Sequence, residues 1–392
     1  MKNKSNEVVI VAAARTPIGI YKGSLKNIKA DQLGSIVIKE VLKKAKIKNE
    51  DIDEVILGQV LTAGTGQNPA RQASINAGLP KTIPAHLVNQ VCGSGLRSVI
   101  SGFQTIKLDE AKYIISGGQE NMSIAPHALP YRNDNKLLED RLIDTMIYDG
   151  LIDAFNNYHM GVTAENIAEK FKISRDEQDN FALRSQKKTQ LALEQNKFED
   201  ELVVVDTDGN YLDRDEHPRK DLKVEDLKKL KPIFKENGTV TPGNASGIND
   251  GAAAALLTSL EEAEKKNLKL LAKIISWSSV GVEPSLMGLG PIDAVKLALK
   301  KANWKIDEVD LFEINEAFAA QSIAVIRELK IDELKVNVNG GAIALGHPIG
   351  ASGTRILVTL LHEMNRRNSK KGLATLCIGG GMGIAMCVER KA

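Results

Sequence analysis

The chain has 392 residues, of which 43% are hydrophobic, 26% charged and 4% aromatic, and a formal net charge of +2. That length exceeds one ordinary core and predicts two or three domains. The near-neutral charge excludes an extended nucleic-acid footprint and leaves room only for a local basic patch facing a phosphorylated ligand, and the few aromatics exclude a base-stacking platform. The three cysteines, Cys92, Cys377 and Cys387, are odd in number, far apart and without a CxxC pair. They predict neither a zinc site nor a disulfide framework, and fit reduced thiols in a cytoplasm. No apolar run has the length of a membrane span. The run in MKNKSNEVVIV lacks a signal-peptide cleavage site, and the terminal VERKA is no peroxisomal address.

Taken in order, Val8 to Ala13 is continuous, apolar and strand-like. Asp31 to Ala45 has apolar residues at helical spacing and ends in lysines, as a helix C-terminus favours. Glu54 to Val60 reads as a second strand. Thr62 to Pro69 is a glycine-rich loop, followed by a helix through Ala77. Val88 to Arg97, VNQVCGSGLR, then sets Cys92 between an apolar run and a Gly-Ser-Gly turn, with a helix predicted over Leu96 to Ile106. Strand, turn and helix present one side chain at a bend. A helix starting just past Cys92 would aim N–H groups at its sulfur and lower the thiol pKa. Tyr113 to Ser116 is another strand, leaving through Gly117 and Gly118.

The C-terminal third repeats this order. LKKA at Leu42–Ala45 recurs at Leu299–Ala302, and IDEV at Ile52–Val55 recurs at Ile306–Val309. GSGLR at Gly93–Arg97 returns as ASGTR at Ala351–Arg355, and YIISGG at Tyr113–Gly118 returns as TLCIGG at Thr375–Gly380. The offsets stay between 254 and 262 residues, which reads as two copies of one α/β unit. Continuous apolar strands predict sheets buried on both faces. Gln119 to about Asn249 does not repeat. It holds irregular segments (Ser123 to Asn135), helices over Thr163–Phe171 and Arg175–Gln195, and the charged stretch His217–Pro232. That stretch reads as a solvated helix with i,i+4 pairs, with Arg219 or Lys220 as the cations able to reach a ligand phosphate. Gly243 to Ala255 returns the chain to the core with turn residues, then a helix or strand of small side chains.

Three polar clusters fall in the last third. These are EINEAF at Glu313–Phe318, GGAIALGHPIGASG at Gly340–Gly353 with His347 its one ionisable group, and CIGGGMG at Cys377–Gly383. CIGGGMG lacks the downstream strand and acid of a dinucleotide site. In a pseudo-symmetric pair, corresponding loops face each other across the join. Cys92 then meets His347 and Cys377, two thiols and an imidazole without metal spacing, a set suited to covalent acyl chemistry with proton transfer.

At these residues the chain resembles the thiolase family along its whole length, from VVIVAAARTPIG onwards. The resemblance implies the thiolase fold: two pseudo-symmetric α/β halves in an α/β/α/β/α layered core with an inserted loop domain. The expected division is 1–118 with 250–271, 119–249, and 272–392. His159-Met160-Gly161 and NASGINDGA are closer to short-chain, biosynthetic-type acetyl-CoA acetyltransferases than to long-chain degradative enzymes.

The implied reaction is reversible condensation of two acetyl-CoA to acetoacetyl-CoA and CoA. Cys92 carries the acetyl group, His347 shares its proton, and Cys377 deprotonates the second acetyl-CoA. His347 with a water on Asn315 forms one oxyanion hole, and the backbone N–H groups of Cys92 and Gly379 form another. Ser246 contacts pantetheine, Arg219 the nucleotide end, and His159, Met160, Met287 and Phe318 wall the pocket. No cofactor or metal, no nucleic acid or membrane, and a homo-oligomer, tetramer before dimer, are implied. Pro242 stands where the family usually has alanine. The alternatives are a broader 3-ketoacyl-CoA thiolase, a β-ketoacyl synthase, a non-catalytic acyl-CoA or lipid carrier, and a dinucleotide-dependent oxidoreductase.

Overall fold

The computed structural model describes residues 7–129 and 142–390; the end of the irregular stretch Ser123–Asn135 lies outside them. The elements that position the site are, in the first half, β1 (Val8–Arg15), α1 (Ala30–Ala45), β2 (Glu54–Gly58), α2 (Pro69–Asn76), β3 (Ala85–Val88), α3 (Ser94–Lys107) and β4 (Tyr113–Asn121). The insert contributes α4 (Met160–Lys170) and α5 (Arg175–Glu194). There follow β5 (Asn249–Ser259), β6 (Ala272–Gly281), α6 (Gly290–Ala302), β7 (Leu311–Ile314), α7 (Ala319–Leu329), α8 (Ser352–Arg367), β8 (Lys371–Ile378) and β9 (Met382–Glu389).

The strands run β1-β5-β4-β2-β3 in one half and β6-β9-β8-β7 in the other. In each half the inner pairings are antiparallel and the outer ones parallel. A parallel bridge from Phe312 to Val336 stands where β3 stands in the first copy. Two of the four repeated sequences fall at equivalent places, and two are out of register with the structural repeat. LKKA ends α1 and α6, and GSGLR and ASGTR open α3 and α8. IDEV, however, follows a 3-10 turn and enters β2 in the first half, while it forms the 3-10 turn before β7 in the second; Gly117-Gly118 lie inside β4, whereas Gly379-Gly380 follow β8. Among the described residues, the half-sheets pair edge to edge at Val9–Lys273 and Ile10–Ala272.

Helices α1 and α2 pack on the outer side of the first half-sheet, α6 covers the outer side of the second, and α3 and α8 lie together between them. This is the expected α/β/α/β/α layering. The central layer is thin because small residues let backbones meet. A Cβ on Gly95 would lie 2.8 Å from the Thr354 nitrogen, and one on Gly353 would lie 2.3 Å from the Leu96 nitrogen. The alanines of β5 serve the same end: all of Ala252–Ala255 are buried between helical layers.

Two local expectations change. β4 continues through Gly117 and Gly118 to Asn121. The glycines stay in the strand because Gly117 abuts the Ala253 carbonyl and Gly118 the Gly350 carbonyl, and a Cβ would lie 2.4 and 2.1 Å from them. The charged stretch 217–232 is helical only over Val224–Lys228. Its start is tied down instead: buried Arg15 holds Asp215 with two hydrogen bonds of 2.7 and 2.9 Å, and the Ile18 N–H donates to the same carboxylate at 2.8 Å. Those bonds fix the segment as extended chain over the core. Among the described residues, no helix is long and apolar enough to cross a membrane.

Candidate active site

The turn after β3 is built from its own backbone and two side chains. Asn89 Oδ1 accepts from the Val91 N–H at 3.0 Å, and the Ser94 hydroxyl donates to the Val91 carbonyl at 2.6 Å while accepting from the Gln90 N–H at 2.9 Å. Val91 is thereby held at φ +46°, a left-handed conformation costly for a β-branched residue. This strained residue sits immediately before Cys92 and turns that side chain out of the strand's line. Gly93 lets the end of β8 press close, since a Cβ there would lie 2.4 Å from Ile378 Cδ1. The contact brings the Gly379 N–H onto the Cys92 sulfur, beside the N–H of Cys92 itself.

Cys92 is 6% exposed and its thiol is pushed up to about 11, against the sequence expectation. Burial is the main cause, and the charge of Glu120 adds to it, while the two backbone N–H groups oppose. A helix terminus supplies about 0.3–1 kcal/mol, less than one pKa unit, whereas full burial can move a group by about 3–5 units. Cys377, at the end of β8, is 1% exposed; burial and the neighbouring Cys92 both raise its thiol well above the ordinary range. All three cysteines are free thiols, and Cys387 lies in β9 away from the site.

His347 comes from the glycine loop before α8. Its N–H donates to Asn249 Oδ1 at 2.9 Å, and Gly346, at φ +106°, leaves room for that asparagine. Its Nδ1 is 2.5 Å from Ser352 Oγ, and that hydroxyl donates onward to the Pro348 carbonyl at 2.9 Å. With the serine proton so engaged, Nδ1–H is the donor in the first contact and Nε2 keeps a free lone pair. Burial, with Arg355 nearby, pushes the imidazole down to about 3, so it rests neutral. Asn315 packs behind it, with Nδ2 3.5 Å from Nδ1, and Asn315 Oδ1 is a buried oxygen with no protein donor among the described residues. Such an oxygen costs about 1–3 kcal/mol unless a water or ligand group donates to it.

Cys92, His347 and Cys377 share one cavity of about 320 Å³. Its wall also includes His159, Met160, Arg219, Ser246, Met287 and Phe318, all named from sequence. Asn315 and Gly379 are not on that wall; one touches His347 and the other the Cys92 sulfur. Lys220 is exposed and outside it. His159 caps α4 by accepting from the Gly161 N–H at 3.0 Å, stacks on Phe234 with centroids 4.5 Å apart, and is held neutral by burial. Arg219 Nη2 donates to the Pro242 carbonyl at 3.4 Å, so the unusual proline still supplies an anchor at the mouth. Sequence reasoning missed His217, Met122, Leu151, Ile349 and Ser352. The signal for Ser352 was its place one helical turn past His347-Pro348; the others carried none.

Two cysteines and a neutral imidazole around one apolar chamber, with two N–H groups on one sulfur, form a site for thioester chemistry. Residues 8–261 match the thiolase N-terminal domain and residues 268–390 the thiolase C-terminal domain. The chain is a thiolase. It is 57% identical over 390 residues to an acetyl-CoA acetyltransferase of Chromobacterium violaceum, covering 98% of this chain and 100% of that one. A cytosolic acetyl-CoA acetyltransferase of rat is 52% identical over 396 residues, with both chains fully covered. Among solved structures, the acetyl-CoA acetyltransferase of Bacillus anthracis superposes on this thiolase with a TM-score of 0.95 at 42% identity, covering 99% of this chain and 100% of that one. Human mitochondrial 3-ketoacyl-CoA thiolase, in complex with CoA, gives the same score and identity, covering 99% and 98%.

Replacing Ser352 by alanine removes the acceptor for Nδ1–H of His347. A loss of about 10-fold or more in kcat, with the KM for acyl-CoA little changed, is expected from a base freed to take the wrong tautomer. Steady-state kinetics of Ser352→Ala and Ser352→Thr check it; threonine, which keeps the hydroxyl, should restore most of the rate.

Proposed function

We propose that this thiolase is an acetyl-CoA acetyltransferase, condensing two acetyl-CoA to acetoacetyl-CoA and CoA and catalysing the reverse cleavage. The observation that carries the reading is the convergence of Cys92, His347 and Cys377 on one apolar cavity; the names of relatives at 52–57% identity agree with it. Nε2 of His347 takes the Cys92 proton as sulfur attacks the first thioester. The departing CoA thiolate takes the Cys377 proton. The Cys377 thiolate then removes a proton from the methyl of the second acetyl-CoA, and the carbanion attacks acetyl-Cys92. The Cys92 thiolate leaves and recovers its proton from His347, so every group returns to its starting state.

The imidazolium is tolerated in this buried place only beside the anion it creates. Its Nε2–H, with a water on Asn315, donates to the enolate oxygen of the second substrate. The N–H groups of Cys92 and Gly379 hold the oxyanion of the acyl group on Cys92. In the same reading Ser246 contacts pantetheine, Arg219 the nucleotide end, and His159, Met160, Met287 and Phe318 the thioester. The division into 1–118 with 250–271, 119–249 as a cover over the CoA site, and 272–392 belongs to this reading. So do a cytoplasmic homotetramer, a place in fatty acid metabolism, and chemistry needing no cofactor beyond CoA thioesters.

The test compares CoA-dependent cleavage of acetoacetyl-CoA with that of six- and eight-carbon 3-ketoacyl-CoA. A preference of about 10-fold or more in kcat/KM for the four-carbon substrate is expected, since each extra methylene in a closed apolar pocket is worth about 1–3 kcal/mol. Comparable rates at all lengths would favour the broader 3-ketoacyl-CoA thiolase, in line with the likeness to the human enzyme. Binding without turnover would leave a carrier.

A further inference from the structure

Glu120 lies near the end of β4, fully buried and outside every role above. Its carboxylate accepts three backbone N–H groups: Val60 at 3.0 Å, Leu61 at 3.2 Å and Gly350 at 2.9 Å. The first two follow β2 in the first half. The third lies in the second half, three residues past His347. The seam is closed backbone to backbone. A Cβ on Gly350 would lie 2.6 Å from Glu120 Oε2 and 2.8 Å from Gln59 Cα. Met122 and Ile349, just beyond Glu120 and just before Gly350, stand on the cavity wall with Cys92. The nucleophile and its base thus come from different halves of the chain, and a buried carboxylate ties the base's loop to the nucleophile's half.

We propose that Glu120 is a positioning residue for acyl transfer, seating the His347 loop so that the imidazole faces Cys92. This rests on assigning the nucleophile to Cys92 and its base to His347. Charge-assisted bonds to three N–H groups are stronger and more directional than neutral ones, and a displaced base loses rate steeply with small distances. The charge has a second effect. Around Cys92 the titratable groups are Glu120, His347 and Cys377, with His159, His217 and Arg219 on the same cavity. Around Glu120 they are Cys92 and Asp250. Burial pushes the Glu120 carboxyl up to about 7, so it is fully ionised in the alkaline range where Cys92 titrates; there its charge raises the Cys92 thiol, and removing it brings thiolate formation to lower pH.

The experiment measures acetoacetyl-CoA cleavage and the pH dependence of iodoacetamide labelling at Cys92 on the full chain. Wild-type protein must cleave the substrate and label at Cys92; failure there overturns the acyl-transfer reading itself. With Glu120→Gln, kcat should fall by about 10-fold or more while KM stays within about threefold, and the labelling midpoint should move to lower pH. Glu165→Gln removes another buried carboxylate, held by the Thr239 and Val240 N–H groups, and should leave that midpoint in place. Gly350→Ala keeps the charge but crowds the seam, so it should lower kcat without moving the midpoint. An active wild type with Glu120→Gln within about twofold in kcat, or with a loss carried by KM alone, overturns the positioning role. Should Glu120→Gln not fold, Gly350→Ala decides, and a kcat within about twofold of wild type overturns it.

Discussion

Replacing Cys92 by alanine is expected to lower acetoacetyl-CoA cleavage by at least about four orders of magnitude and to abolish the covalent acetyl adduct. The free thiol sits near 11, so at neutral pH only about one molecule in ten thousand carries the thiolate. A preformed thiolate therefore cannot supply the rate. The proton must leave as the carbon–sulfur bond forms, to a base already in place, and the neutral imidazole of His347 with Nε2 free is such a base. Removing the sulfur leaves water as the remaining nucleophile in an apolar chamber. Removing His347 instead leaves the sulfur but no acceptor for its proton, so His347→Ala should still label with iodoacetamide at high pH while losing turnover. Mass spectrometry of the intact chain after exposure to acetyl-CoA reads the adduct directly; an acetyl group trapped on Cys92→Ala would sink the assignment.

Much of this arrangement was legible in the sequence. The repeat fixed the relation of the two halves because symmetric positions carry symmetric duties. Gly95 and Gly353 are both needed where α3 and α8 cross, so both copies keep the small-residue pattern that announces them. The clusters around Cys92, His347 and Cys377 meet in one cavity, as loops facing each other across the join would. The direction of the Cys92 shift was not legible, because burial is a property of the assembled chamber and outweighs the helix terminus visible in the local pattern. Nor was the path of residues 215–219. Arg15 and Asp215 are 200 positions apart, and nothing local says that an aspartate just before the charged stretch pairs with a buried arginine. Unable to see that pair, sequence reasoning gave the stretch a helix and overlooked His217. Glu120 escaped for a related reason. Its partners are backbone N–H groups, which every residue but proline carries, so no side-chain pattern points to them.

Replacing Cys377 by alanine should stop carbon–carbon bond formation and its reverse, by about 10³-fold or more, while leaving the Cys92 acetyl adduct within about 10-fold of wild type in rate of formation. The two thiols are not interchangeable. The Gly379 N–H meets the sulfur of Cys92, whereas the one backbone N–H that eases the Cys377 thiol is its own. The charge of Cys92 raises the cost of ionising Cys377, ranking next after burial. That coupling sets an order. While Cys92 can still carry charge, Cys377 is held protonated and cannot act as a base; as Cys92 becomes a neutral thioester, the Cys377 proton becomes easier to give to the departing CoA thiolate. Once Cys92 is a neutral thioester the repulsion is gone, and Cys377 can hold the charge needed to take a proton from the second acetyl-CoA. Isotope exchange between CoA and acetyl-CoA uses only the first half of this sequence, and condensation uses both. Cys377→Ala should therefore keep exchange and lose condensation, whereas Cys92→Ala should lose both. A Cys377→Ala protein that also lost exchange would mean that the acid delivering the proton to CoA is indispensable, and would join the two half-reactions in one residue.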